Sequence, residues 1–593
     1  MATYPSPILQ DVTVEGALTG PGVDAVVAPL LTSATAASTY ETQTSAASTY
    51  ETQANATATY ETIASAASTY TAQVDLASTA AGKGSKLVAF IQRIAGAVGR
   101  FVEDKLSEQP SVKDFGATGA GTVDDSAAFV LAQTAYPLGF IVPAGSYRIS
   151  SSLSLTVPIT FMPGAVLIPA SGIVVSLSNA IIAGETQIFS VASGGSFALT
   201  NQATDCLLSW FGVSPQNTAA QNTAAFNACL SSMPTTGGCH IKWPAGQINV
   251  NECTHSLNSI FQEAHSNGTW IVNNTANAYA LSAMGTGNFF NVFKGFRVGQ
   301  ASGVTAVGGN GGINIQSQQS RVIDCHCWQY PGALYNGISF DGVVAGWING
   351  NICANMLNDG FRIGGGCGDI FMSENFSVGN GQYGFHFFGS SGVYASNMSA
   401  YANAYSAYFF DSSGHANGSG TINEYFFGNN LIGDTSGSSN WQIQNLHQSK
   451  FNQCWGSTQQ SSTANIYSPG WNIAGSTCNN LTFTGCIAIS NNGDGFLIDS
   501  AANDIQMIGC SANGNGRGGS YTNGFDVGVG AAVTGITLSA CRASGNPGSG
   551  IVFGAYASDY CIVTGCNTQG NTGAGFVNNS TGANNAIGTG ANV

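Results

Sequence analysis

The sequence predicts a mainly β protein, a right-handed parallel β-helix that follows an N-terminal stalk and a helical neck. Two observations support this fold class. Short apolar segments recur every 23 to 29 residues beyond residue 320, and asparagine and glycine separate them, as in the coils of a β-helix. Hydrophobic residues make up 44% of the 593-residue chain and charged residues only 8%, so the chain can form a core and is not of the disordered class.

The first predicted element is a stalk over residues 1–82. Within it, residues 31–80 repeat every ten residues, and the repeat carries tyrosines at Tyr40, Tyr50, Tyr60 and Tyr70. Because sequence this rich in Ala, Ser and Thr cannot bury a compact core alone, we interpret it as an extended segment stabilised by identical neighbouring chains. A ten-residue period matches neither the seven- nor the eleven-residue coiled-coil repeat, which leaves its helicity open.

The second predicted element is a helical neck over residues 83–110. Its apolar residues are spaced 4, 3, 4 and 3, which is the pattern of a coiled-coil seam. These residues are Leu87, Ile91, Ile94, Val98 and Phe101. A single amphipathic helix against a globular domain fits the same pattern, and Pro110 ends the helix in either case.

The third predicted element, residues 111–205, begins with a motif that covers the end of a β region. The stretch "SVKDFGATGAGTVDDSAAF" places Asp125 as the N-cap of a short helix that Pro137 stops. We expect Ala127, Ala128 and Leu131 to form the apolar face with which this helix covers the β region. A covering helix is expected because the open end of a β-helix leaves unpaired backbone groups.

The fourth predicted element, residues 206–593, repeats this motif and continues into the main β-helix. Phe211-Gly212 matches Phe115-Gly116, and "TAAF" at Thr223 matches "SAAF". The second copy has no aspartate where Asp124 and Asp125 stand in the first. Keeping the shape while losing the acids predicts a structural role for those two aspartates.

Apolar markers define the register of the coils. One set is spaced 23, 24 and 23 residues apart and consists of Ile338, Phe361, Phe385 and Tyr408. A second set, spaced 29, 26 and 25, consists of Phe496, Phe525, Ile551 and Phe576. Like residues should stack on adjacent strands at about 4.8 Å.

The fifteen cysteines all stand at or after Cys206, and four of them, Cys486, Cys510, Cys541 and Cys566, recur with the coils. We interpret them as buried core thiols rather than disulfides. The "CHC" at Cys325 has no second half-site at zinc spacing, so neither a metal nor another cofactor is predicted.

The stretch "SVKDFGATGAGTVDDSAAF" resembles the opening motif of the pectate-lyase-like β-helix superfamily found in bacteriophage tailspikes, although Gly119-Ala120-Gly121 replaces the usual Gly-Asp-Gly. The preceding "RFVEDKLSEQPSVKDFGA" resembles the junction between virion-attachment region and β-helix. The resemblance covers residues 111 to about 590. It implies a homotrimer in the virion tail, attached to other tail or portal-region proteins by its N-terminus, that binds and often cleaves a bacterial capsule, exopolysaccharide or lipopolysaccharide.

The charge pattern agrees with a carbohydrate partner. A formal net charge of -15 disfavours nucleic acid and anionic membranes. The start of the chain shows no signal peptide, and no segment is long enough to span a bilayer, so we expect synthesis in the host cytoplasm, no membrane insertion and a place in the virion tail.

Candidate site residues follow from the coil register. If the markers face inward, the next residues, Ser339, Arg362, His386 and Phe409, face outward in one column. As catalytic carboxylates we predict Asp341, Glu374 and Asp411, with Glu374 on a different strand. The predicted substrate contacts are Arg362, His386, Trp347, Tyr383 and Phe388. A solvated face with scattered polar residues is the simpler interpretation, and Asp359 is interpreted as a turn residue.

The leading functional prediction is a phage tailspike that depolymerises a surface polysaccharide by glycoside hydrolysis, which needs two carboxylates about 5 to 10 Å apart. A receptor-binding fibre without enzymatic activity is the alternative, because the coils carry few ionisable groups. A lyase is a third possibility, with Arg362 neutralising a uronate. The scarcity of Lys and Arg makes a strongly anionic substrate the less expected one.

Overall fold

The computed structural model describes most of the chain beyond residue 72. The described residues are 73–80, 83–200, 205–234, 238–305, 307–308, 311–411, 422–459, 468–556 and 558–587. Residues 1–72, which hold most of the predicted stalk, lie outside this set.

The chain divides into two compact units, Met1–Gln109 and Pro110–Val593. In the first unit, strands Ala89–Phe90 and Arg100–Phe101 pair antiparallel. Among the described residues of this unit, the helical elements are α1 (Gln73–Leu76), a 3-10 turn (Gly84–Leu87) and α2 (Val102–Leu106).

The helical neck predicted over residues 83–110 is wrong. The predicted seam is split between a 3-10 turn, a strand pair and the loop that joins the two strands. Gly96, at φ +84°, and Gly99 lie in that loop. A glycine inside a helix costs about 1 kcal/mol relative to alanine, so two glycines within one heptad outweigh the apolar spacing.

The second unit begins with three short parallel sheets of three strands each. Their strands are Ala120–Asp124, Gly145–Ile149 and Ala165–Pro169; Phe140–Val142, Ile159–Phe161 and Ile181–Ile182; and Leu153–Leu155, Val174–Leu177 and Ser196–Leu199. Where the structure describes the second unit, its helical elements are 3-10 turns at Val112–Phe115 and Leu208–Phe211, α3 (Ser126–Ala135) and α4 (Ala219–Ser232).

Both aspartates of the first motif accept hydrogen bonds from the backbone, which agrees with the structural role that the sequence predicts for them. Asp124 accepts a hydrogen bond from the Ser126 amide at the start of α3. Asp125 precedes the helix, but its carboxylate accepts from the amide of Thr118 (2.7 Å) rather than from a helix amide. In the second copy Asn222 accepts from the Ser214 amide at 2.9 Å. The side-chain amide of Asn222 therefore accepts the same hydrogen bond as the Asp125 carboxylate, so this contact does not require a charged acceptor.

The predicted apolar face of α3 is correct only in part. Ala128 is buried, as are Phe129 and Ala132, whereas Ala127 and Leu131 are exposed. Phe129 packs edge-on against Tyr147 and fixes which face of the helix turns to the core.

The main β-helix contains three long sheets, which we call A, B and C, with 15, 12 and 13 strands. Between its two ends the β-helix gives every third strand to the same sheet, and all neighbouring strands are parallel, so each complete coil contributes one strand to each sheet. Parallel sheets with this strand order are those of a parallel β-helix. The prediction of a mainly β chain with this fold is therefore confirmed.

Sheet A consists of Cys206–Leu207, Cys239–Lys242, Ile260–Glu263, Val292–Lys294, Arg321–Ile323, Trp347–Asn349, Gly368–Ser373, Ser391–Ser396, Asn423–Asn429, Leu446–Asn452, Asn479–Thr484, Asn503–Ile508, Thr537–Ser539, Ile562–Thr564 and Ala586–Ile587. Sheet B consists of Gly246–Val250, Thr269–Asn273, Arg297–Gln300, His326–Trp328, Ile352–Ala354, Phe376–Val378, Ser399–Tyr401, Ile432–Ser436, Trp455–Gln459, Ile487–Ile489, Ser511–Asn513 and Arg542–Ser544. Sheet C consists of Cys253–His255, Tyr279–Ala283, Gly311–Ile315, Asn336–Asp341, Phe361–Gly364, Phe385–Phe388, Tyr408–Phe410, Trp441–Ile443, Trp471–Ala474, Phe496–Asp499, Phe525–Val527, Ile551–Phe553 and Phe576–Asn578.

The core is built from stacked ladders of like residues. Both predicted marker sets are confirmed on sheet C, where Phe361 pairs with Phe385 and Phe496 with Phe525, each with stacked rings. The cysteines are buried free thiols, as predicted. Buried asparagines form a further ladder in which the Asn491 side-chain amide donates to Asn515 at 2.8 Å. These ladders fix the register that positions the outward residues.

Candidate functional site

The outward face of sheet C carries one continuous column of side chains. Strand pairing places the following residues on successive strands: Ser339, Arg362, His386, Phe409, Gln442, Asn472, Leu497 and Asp526. The predicted column through Arg362 and His386 is therefore confirmed, and it continues beyond the predicted part. We call it the sheet C column.

His386 lies between two carboxylates at the centre of the predicted site. Its Nδ1 is 2.8 Å from Asp359 Oδ2, and its Nε2 is 3.4 Å from Asp411 Oδ2. Burial lowers the pKa of His386, but hydrogen bonds and charge from both aspartates outweigh burial and raise the pKa above its usual value. The two carboxylates thus fix the orientation of the imidazole and favour its protonated form.

Asp359 was expected to be a turn residue, and the sequence did not reveal its contact with His386. Its side chain is almost fully buried, and it also accepts a hydrogen bond from the Tyr383 amide. Asp359 stands two residues before its marker and His386 one after the next marker. That offset across neighbouring coils was the signal available in the sequence.

Aromatic rings surround His386, but most of them are covered. Tyr383 stacks on Phe409 at 4.3 Å between centroids. The Arg362 guanidinium lies over the Phe388 ring at 4.2 Å, and the Phe388 side chain is buried. Phe388 therefore cannot stack on a sugar as predicted, whereas Tyr383 and Arg362 are partly exposed. Burial and the neighbouring carboxylates raise the pKa of Tyr383 to about 12, so its hydroxyl stays protonated.

The three predicted catalytic carboxylates do not meet. Asp341 pairs with Gly364, which pairs with Phe388, and Asp411 stands one strand further. Three strand spacings separate the Asp341 and Asp411 backbones by about 14 Å, beyond the range of a glycosidase acid pair. Glu374 is exposed after a sheet A strand and is not folded toward sheet C.

Trp347 also lies away from the predicted site. It belongs to sheet A, where it begins a ladder of stacked rings with Phe371, Tyr394 and Phe427. The Arg321 guanidinium covers its ring at 4.5 Å. Because rings stacked along the axis turn their edges to solvent, this ladder offers little ring face to a sugar.

The described residues contain no group of three or more His, Cys, Asp or Glu side chains placed to hold a metal ion. Among the same residues, no helix is both long enough and apolar enough to cross a membrane.

No protein-family model matches the chain. A search of curated proteins also found no match.

Solved structures similar to this chain include three phage tailspikes. Tailspike protein 3 of bacteriophage CBA120 is 12% identical over 86% of this chain, with a TM-score of 0.34, and the match spans 66% of that tailspike. The Dettilon tailspike protein is 12% identical over 80% of this chain and 70% of its own, with a TM-score of 0.29. Tailspike protein gp49 of Acinetobacter baumannii bacteriophage Fri1, described as a capsular polysaccharide depolymerase, is 12% identical over 66% of this chain and 64% of its own, with a TM-score of 0.34. At such identities the likeness concerns the fold alone.

Proposed function

We propose that this protein is a phage tail protein that binds a bacterial surface polysaccharide along sheet C. The observation that supports this function best is the sheet C column, which carries polar and aromatic side chains in register from Arg362 to Asp526. Six strand spacings make this face about 29 Å long, a length suited to a polymer rather than to a single sugar. Partly exposed Tyr383 and Arg362 provide a ring and a donor at one end of it.

The proposal includes the homotrimer that the resemblance to phage tailspikes implies. Three copies would present three parallel sheet C faces to one repetitive polymer, which raises the overall affinity by avidity. The unit Met1–Gln109 would attach the assembly to other proteins of the virion tail.

Glycoside hydrolysis is the second part of the proposal. It is favoured by carboxyl and imidazole groups on an otherwise sparsely charged face, where Asp411 Oδ2 lies 3.4 Å from His386 Nε2. The distance between Asp341 and Asp411 argues against an acid pair of these two residues within one chain. Asp359, the other carboxylate beside His386, has a side chain that is almost fully buried. If the protein is a hydrolase, the carboxylate that works with Asp411 is therefore Asp359 after exposure to substrate, or comes from another part of sheet C or from a neighbouring copy.

The test is retention of the full chain on an array of purified bacterial surface polysaccharides, followed by assay of new reducing ends. We expect retention, a loss of about tenfold in affinity for Arg362→Ala, and no loss for Arg542→Ala, an exposed arginine on sheet B. Reducing ends without ultraviolet-absorbing products would identify a hydrolase, whereas absorbing products would identify a lyase. Retention without cleavage would leave a receptor-binding fibre, and no retention on any polysaccharide would refute the proposed function.

A further inference from the structure

A cavity of about 440 Å³ opens on sheet C beyond the predicted site. Asn472 and Leu497 of the sheet C column line it, and they stand three and four strands from His386, about 14 to 19 Å away. Its other lining residues used below are Asp494, Asp499 and Tyr521. The cavity therefore lies on the same face that we propose for polysaccharide binding.

Two aspartates meet at the wall of this cavity. Asp494 stands two residues before Phe496 and Asp526 one after Phe525, and these two markers pair on neighbouring strands. The offset is the same as that of Asp359 and His386 five coils earlier. Here both members are carboxyl groups, and both are almost fully buried, with exposures of 1% and 2%.

The hydrogen bonds of the pair leave one oxygen of each carboxyl facing the other group. Asp494 Oδ1 accepts from the Asn523 amide at 2.7 Å, and Asp526 Oδ2 accepts from the Asn523 side chain at 2.8 Å. Asp494 Oδ2 and Asp526 Oδ1 have no hydrogen-bond donor among the described residues. Two buried carboxylates in contact cannot both be charged, so they share one proton.

The titration of the pair agrees with this arrangement. Burial raises the pKa of Asp494, and the charge of Asp526 raises it further. Burial also raises the pKa of Asp526, with a contribution from the charge of Asp499, the other acidic group facing the pair. Raised pKa values at both groups agree with a pair that shares one proton.

The rest of the lining has acceptors and an aromatic ring but no cation. Asn472 Oδ1 is buried and has no donor among the described residues. Asp499 is held by backbone amides, at 2.8 Å from Ala531. Tyr521 stands 54% exposed at the cavity, and no Lys, Arg or His is among the described residues that line it.

We propose that this cavity is a binding subsite for an uncharged sugar unit and that it rejects carboxylated sugars. The proposal rests on the proposed function. Sugar hydroxyls can donate to the Asp499 carboxylate and pair with the part of the Asn472 side chain that lines the cavity, and the Tyr521 ring offers an apolar face to a sugar ring. A uronate or sialate carboxylate would instead meet the charges of the aspartate pair and of Asp499, with no cation to offset them.

Saturation-transfer NMR on the full chain tests this subsite. The neutral probes are glucose, galactose, rhamnose and N-acetylglucosamine, and the anionic probes are glucuronate, galacturonate and N-acetylneuraminate. We expect transfer to at least one neutral probe and none to the anionic probes. Tyr521→Ala and Asn472→Ala should each weaken the neutral probe about tenfold, whereas Tyr560→Ala, a 61% exposed tyrosine beside sheet A, should not.

Charge exclusion has its own variant. Asp494→Asn and Asp526→Asn combined with Asp499→Asn remove all three carboxyl groups at the cavity and should admit glucuronate while neutral-probe binding persists. Equal melting temperatures of variant and wild type show that each variant is folded.

Three results would overturn the subsite: binding of anionic probes as tight as neutral ones, neutral binding unchanged in both lining variants, or no neutral binding at all. Polysaccharide retention is measured separately. Polysaccharide retention without saturation transfer to any neutral sugar would contradict the subsite alone. Saturation transfer to a neutral sugar without retention of any polysaccharide would contradict the proposed function alone.

Discussion

At the scale of single residues, position relative to an apolar marker decides what a polar side chain contacts. A residue two before a marker reaches the residue one after the next marker, as Asp359 reaches His386 and Asp494 contacts Asp526. Neither contact is local in sequence, because the members stand 27 and 32 residues apart. The chemistry of each pair depends on whether the second member is basic or acidic.

Asp359→Asn should lower the pKa of His386. The Asp359 carboxylate is one of the two groups that raise this pKa against burial, and an amide has no charge with which to do so. Losing the charged hydrogen bond should also cost about 1.5–3 kcal/mol of the free energy of unfolding. NMR titration of labelled histidine checks the pKa, with Asp504→Asn, an exposed aspartate, as control. An unchanged His386 titration in Asp359→Asn would contradict the arrangement.

At the scale of elements, the two motifs that begin the β regions use one hydrogen bond in two chemical forms. Asp125 binds the amide of Thr118, and Asn222 binds the amide of Ser214, at matching places. Both residues are buried, so removing either leaves backbone amides without a partner.

Asp125→Ala and Asn222→Ala should each reduce the free energy of unfolding by about 1–3 kcal/mol, the cost of unpaired buried amides. Asp125→Asn should cost much less, because Asn222 shows that an amide oxygen fits this place. Urea denaturation monitored by circular dichroism measures all three. A loss for Asp125→Asn as large as for Asp125→Ala would mean that the charge, and not the acceptor, is needed.

The elements also show what the sequence could predict. The coils were predictable because marker spacing and strand pairing depend on one repeated pattern, so Phe361 and Phe385 could be placed on adjacent strands. The structure of residues 83–110 was not predictable in the same way. Five apolar residues at heptad spacing favour a helix too weakly to offset the cost of Gly96 and Gly99 within it. The column does not create an acid site, because Asp341 and Asp411 stand three strand spacings apart, which separates their backbones by about 14 Å.

At the scale of the whole molecule, buried groups oppose one another as pH changes. Burial lowers the pKa of His255 to about 4, so folding favours its neutral form and loses stability as pH falls below the unfolded value of about 6.5. The raised pKa values of Asp494 and His386 act the other way. Each contributes stability that is complete at low pH and is lost as pH rises through the folded pKa.

Asp494→Asn should therefore flatten the decline in stability on the alkaline side. The amide cannot lose a proton and still donates to Asp526, so the repulsion between two ionised carboxylates never develops. Urea midpoints from about pH 5 to about pH 8 measure the slope. Asp504→Asn should keep the wild-type slope, and an equally steep decline in Asp494→Asn would show that the pair does not share a proton.

Assembly is the last property that belongs to the whole molecule. The five apolar residues of the predicted seam do not form a helix, yet all remain exposed within the first unit, by 41% to 77%. Exposed apolar residues this close together indicate a partner surface, and a trimer would supply it. We expect sedimentation of the full chain at micromolar concentration to show a trimer. Ile94→Asp with Val98→Asp should shift it toward monomer, because each buried apolar side chain contributes about 1.5–3 kcal/mol. Leu138→Asp, at an exposed apolar position outside this unit, should leave the trimer intact. A wild-type chain that sediments as a monomer would rule out both the trimer and this surface as its contact.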